Sequence, residues 1–134
     1  MGLTERRAAK DFQDKHYPQL LAEIKAVAGD VPVEVMWEEL AEAGYSHLYN
    51  DSWPELYFKP IIEGLRQITR DDIGKEAVKA SLKKIQIRNA KGAFSPHSAI
   101  SFDNGTLVID HKLSNVGDTL DRTKYLIEIV EKGL

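Results

Sequence analysis

The chain has 134 residues, 43% of them apolar and 29% charged, with no cysteine and a formal net charge of −3. That length and balance describe one soluble α+β domain over residues 1–134, large enough to bury roughly two-thirds of its unfolded surface. Lack of cysteine excludes disulfides, thiolate metal ligands and a thiol nucleophile. The acidic balance disfavours nucleic acid, whose phosphates need a basic field.

No apolar run approaches the roughly 18 residues of a membrane span, and charge from Glu5 onward does not suit a secretory leader. A cytoplasmic protein with no membrane partner is therefore expected.

Thr4 predicts a helix N-cap, and Ala8, Ala9, Phe12, Leu20, Leu21, Ile24 and Val27 recur at three- and four-residue steps behind it. Pro18 has no amide hydrogen and disfavours helical geometry at Tyr17, so a kink or a split into two helices is expected there. Gly29 ends the element. Val31, Val33, Val35 and Trp37 alternate with Pro32, Glu34 and Met36 and predict a strand, with Pro32 near its start marking either a sheet edge or the first residue of the pairing. Glu38 to Ala43 reads as a helical turn closed by Gly44.

Residues 45–60 read as an irregular connection, and five of the chain's rings fall in it: Tyr45, Tyr49, Trp53, Tyr57 and Phe58. Helices follow from Pro60 to about Ile68 and from Asp71 or Asp72 to about Leu82, the aspartates suiting a helix N-terminus. Lys84 to Asn89 predicts a strand with Ile85 and Ile87 inward, then a loop through His97. Ser98 to Leu113 predicts two strands joined at Asp103-Asn104-Gly105, where Asn and Gly tolerate the positive φ of a tight hairpin. Asn115 or Asp118 is expected to cap a last helix. Short connections between 84–89, 99–103 and 106–113 predict antiparallel neighbours. The expected fold is a four-stranded, mainly antiparallel sheet with the hairpin at its middle and helices on one face.

Three groups of residues invite a functional reading. His111 lies in register with Leu107 and Ile109 and offers an acid, base or ligand; as a strand neighbour, Asp110 points away from it, and a histidine bonded to backbone at the core rim is the simpler account. The wet face of the sheet gathers Glu34, Gln86, Arg88, Ser101, Asp103, Asp110 and Lys112, which either pair across strands or meet a polar ligand. Tyr45, His47, Tyr49, Trp53 and Tyr57, with Glu38 nearby, form the main binding candidate, because Tyr and Trp combine large rigid area with a polar tip. The alternative is that these rings fill the core.

Charge is uneven as well. Asp30, Glu34, Glu38, Glu39, Glu42, Asp51, Glu55 and Glu63 face only Lys59 within 30–63, whereas 70–91 is rich in Lys and Arg. The blocks are expected to pair within the molecule, to meet between copies or to steer a basic partner. Gly-rich phosphate loops, zinc-binding His pairs and nucleophile elbows are missing from the sequence, and no cofactor or metal is expected.

Two functions are consistent with this. The first is a non-enzymatic module that contacts a partner protein or a second copy through Glu38 to Phe58. The second is a small-molecule binder or enzyme with a pocket between the sheet and the 45–60 connection. There His47 or His111 would be acid or base, Glu34 or Glu38 the carboxylate, and Tyr49 and Trp53 the walls.

Overall fold

The computed structural model describes residues 2–113 and 116–134. Two helices open the chain, α1 (Leu3–Lys15) and α2 (Tyr17–Ala28), broken at His16 as Pro18 requires. The N-cap of α1 is Gly2, so Thr4 lies inside the helix and not at its start. Strand β1 (Val33–Val35) is shorter than expected, because Trp37 already begins α3 (Trp37–Leu40).

The largest departure comes next. Residues 46–58, expected to be irregular, join the expected helix in a nearly continuous run: a 3-10 turn at Ser46–Leu48, α4 (Tyr49–Trp53), a π turn at Pro54–Phe58 and then α5 (Lys59–Ile68). Tyr49, Trp53, Tyr57, Ile61, Leu65 and Ile68 are spaced by three or four residues and all point inward. Pro54 and Pro60 break the sequence signal without breaking the run. The π turn, with the Lys59 amide donating to the Pro54 carbonyl, accommodates the lost donors.

Helix α6 (Asp72–Ser81) is capped by Asp71, whose carboxylate accepts from the Gly74 amide at 2.8 Å. Strand β2 (Lys84–Arg88) follows, then a short helix α7 (Pro96–Ala99) where a plain loop was expected. Strands β3 (Ile100–Asp103) and β4 (Thr106–Asp110) form the anticipated hairpin, with φ of 50° at Asn104 and 81° at Gly105. The final helix is α8 (Thr119–Gly133). Asp118 occupies its N-cap position without a side-chain capping bond, while Asn115 lies outside the described residues.

The sheet order is β1-β2-β4-β3. Here the expectation of a mainly antiparallel sheet is overturned: β1–β2 and β2–β4 are parallel, and only the β3–β4 hairpin is antiparallel. The connection through α7 carries the chain past the position of β4 to the far edge, and the hairpin brings it back beside β2. So the hairpin is not the middle of the sheet; β4 is interior and β3 is an edge. Residue character explains the order, since Leu107 and Ile109 of β4 are fully buried whereas Ser101 and Asp103 of β3 are exposed.

One sheet face carries Val33, Val35, Ile85, Ile87, Leu107, Ile109, Ile100 and Phe102 and packs against the helices. Helix α5 lies along α8, and α8 reaches β3 close to Phe102. The opposite face carries Glu34, Lys84, Gln86, Arg88, Ser101, Asp103 and Asp110. Among the described residues, no helix is long and apolar enough to cross a membrane.

Candidate interaction surface

The helical run decides the fate of the ring-rich segment. Tyr49, Trp53, Tyr57 and Phe58 are fully buried. Tyr49 stacks on Trp53 with centroids 4.3 Å apart, and Phe12 of α1 meets Trp53 edge-on at 5.0 Å. Trp37 closes the group against Tyr17 at 4.9 Å. Such offset and edge-to-face pairs add about 0.5–1.5 kcal/mol each to the burial of the rings themselves. The Tyr49 hydroxyl donates to the Glu42 carbonyl and the Tyr57 hydroxyl to the His111 carbonyl, both at 2.6 Å. Their polar tips are spent inside the molecule. Burial pushes the Tyr49 phenol up to about 12, and raises that of Tyr57 further. The reading of Tyr49, Trp53 and Tyr57 as a contact surface is therefore corrected, since helical spacing turns these three rings into the core.

Glu38, Tyr45 and His47 do reach the surface, as do Asn50 and Asp51. Tyr45 keeps 46% of its area exposed and is the one exposed large ring of this segment among the described residues. Glu38 and Asp51 enter no ion pair among the described residues.

His111 is fully buried. Its Nδ1 lies 2.6 Å from the Lys112 carbonyl, which only accepts, so Nδ1 carries the proton and Nε2 is the bare nitrogen. No protein atom among the described residues bonds to Nε2. Burial, with the nearby Arg122 guanidinium, holds the ring's pKa below its ordinary value against the pull of the Lys112 carbonyl and Asp118. Glu34 stands on the opposite face of the sheet, 46% of its side chain exposed, with Lys84 at 3.5 Å. The hydrogen bond from Gln86 and the Lys84 charge hold its carboxyl below the usual range. The fold thus does not bring His111 together with Glu34, and the space between the sheet and residues 45–60 is filled by rings. Among the described residues, no three His, Asp or Glu side chains are grouped as a metal site requires.

A polar cluster sits where the parallel strands end; the sequence singled out its Arg88 and Asp110 on the wet face but not their meeting with Glu39, Glu42 and Asn89. Arg88 donates to Glu39 through Nε at 3.1 Å and Nη2 at 2.9 Å, a forked pairing, and lies 3.9 Å from Asp110. Glu42 accepts from the Asn89 amide side chain at 2.6 Å and the Leu113 backbone at 3.0 Å. Asp110 accepts from the backbone of Ala90 at 2.8 Å and Lys91 at 3.3 Å. Carboxyl ends of parallel strands are where open sheets bind ligands. Here the chain's own loop occupies that place, and the carboxylates clasp it. The parallel register setting Val35 level with Ile87 aligns the acids after β1 with Arg88; an antiparallel expectation hides that alignment. Two contacts, Glu34–Lys84 and Glu39–Arg88, join the acidic and basic blocks within the molecule.

Comparison with family models, with curated proteins and with solved structures finds no match to this chain. Function must then be argued from the surface alone.

Proposed function

We propose that this chain is a non-enzymatic protein-interaction module whose contact surface is the exposed remainder of the acidic segment: Glu38, Tyr45, His47 and Asp51. The observation that carries this is the division of labour inside the segment. Its other rings are consumed by the core, yet one tyrosine and two carboxylates without an ion pair among the described residues stay in water. An exposed ring and exposed negative charge on one segment suit a basic protein surface, with the charge speeding encounter and the ring supplying anchored area.

The test is capture of protein partners by the immobilised chain at low and high salt. It is repeated with Tyr45→Ala combined with Glu38→Lys, which touches no buried residue. We expect a salt-sensitive partner to be lost in the double variant while far-ultraviolet dichroism stays unchanged. Capture that is indifferent to salt and to both substitutions rejects the proposal. A metabolite or metal that raises the melting temperature, with no partner captured, favours the small-molecule reading instead.

A further inference from the structure

Strand β1 is an edge of the sheet, a cleft lies beside it, and among the described residues neither Val33 nor Val35 makes a backbone bond on the outer side. The Ile85 amide donates to the Pro32 carbonyl, and the Met36 amide donates to the Ile87 carbonyl. In a parallel ladder the bonding residues alternate, so Pro32, Glu34 and Met36 turn their backbone groups toward β2. Val33 and Val35 turn theirs away from the sheet. Beside them, between α1 and the end of β1, lies a cleft of about 540 Å³ whose lining includes Ala9, Gln13, Val35 and Trp37 together with the charged Arg6 and Glu38.

We propose that the outer edge of β1 takes up an extended segment of a partner protein as an antiparallel fifth strand, read as apolar–basic–apolar. This rests on the reading of the chain as an interaction module and names its docking element. Main-chain bonds at Val33 and Val35 hold the segment. Cross-strand neighbours point to the same face, so the residue opposite Val35 enters the cleft beside Ala9 and Trp37, and the residue opposite Val33 covers the same apolar face. The middle residue lies opposite Glu34 on the polar face. Glu34 is 46% exposed even with Lys84 3.5 Å away, and the Gln86 hydrogen bond and the Lys84 charge hold its carboxyl below the usual range, so a cation fits there.

The same geometry argues against a second copy. Antiparallel self-pairing that uses both Val33 and Val35 sets Glu34 directly against Glu34 of the other copy, and like charges directly opposite are destabilising.

The probe is a capped peptide with a Leu-Lys-Val core, titrated into the isotope-labelled full chain and followed by NMR. We expect amide shifts centred on Val33–Val35 and Trp37, and about fivefold weaker binding to Glu34→Lys. A Leu-Glu-Val peptide should reverse that preference, and N-methylation of the outer two residues should abolish binding without touching the fold. The inference is overturned by shifts lying elsewhere, by no shift at a millimolar excess, or by equal binding of the charge-swapped or N-methylated peptides. It is equally overturned by self-association that moves the same amides. Loss of this peptide signal with Tyr45-dependent capture intact rejects the edge site alone, whereas capture indifferent to Tyr45 and Glu38 rejects the acidic surface whatever the peptide does.

Discussion

Single side chains in this protein are placed by what burial does to them, and titration exposes that. His111 stays neutral in the core but takes a proton freely once unfolded, at the ordinary imidazole value of 6.5. The unfolded state therefore binds more protons below that pH, and stability declines as the pH falls through about 6.5. Urea unfolding at successive pH values should show this acid limb, and His111→Gln, which does not titrate there, should flatten it. The tyrosines set the opposite limb. Tyr49 and Tyr57 hold their protons in the fold while the unfolded chain loses them near 10, so stability falls as the pH rises past that value, with the phenolate absorbance of these two rings appearing on unfolding. At Trp53, truncation to alanine should cost about 3–5 kcal/mol in chemical denaturation, as expected of a filled core position. The types of these residues were legible in the sequence; whether their tips meet water or carbonyls was not.

Elements were read well where one signal dominated. The Asn104-Gly105 turn, the break before Pro18 and the Asp71 cap follow from local chemistry alone. The helix from Pro60 to Ile68 was read, but the helical run ahead of it from Ser46 to Lys59 was missed, because two prolines mask a spacing that burial later enforces. Helix α6 supplies a discriminating case at Gly74. On propensity, Gly74→Ala should stabilise by about 1 kcal/mol. A Cβ at Gly74, however, would stand 1.7 Å from the Ile68 carbonyl oxygen, which is backbone and cannot step aside. We expect Gly74→Ala to destabilise instead, by about 1–3 kcal/mol, read from the shift of the denaturation midpoint.

At the level of the whole molecule, the clasp at the strand ends ties the loop after β2 to both parallel neighbours. Removing the acceptor in Asp110→Ala should speed hydrogen exchange at the Ala90 and Lys91 amides and cost about 1–3 kcal/mol. Asp110→Asn keeps an acceptor oxygen and should preserve most of the protection. Equal loss in both variants would show that charge against Arg88, and not the loop bonds, matters there. By itself the sequence determined the α+β class, the hairpin, the wet and dry faces of the strands and the limits of the helices that end at Gly29, at Ile68 and near Leu82, because period and turn chemistry are properties of neighbouring residues. Tertiary structure alone decided the strand order, the parallel pairings, the clasp and the burial of Tyr49, Trp53 and Tyr57. Each of these depends on which distant segments share one core, and competition for that core is settled only when the whole chain packs.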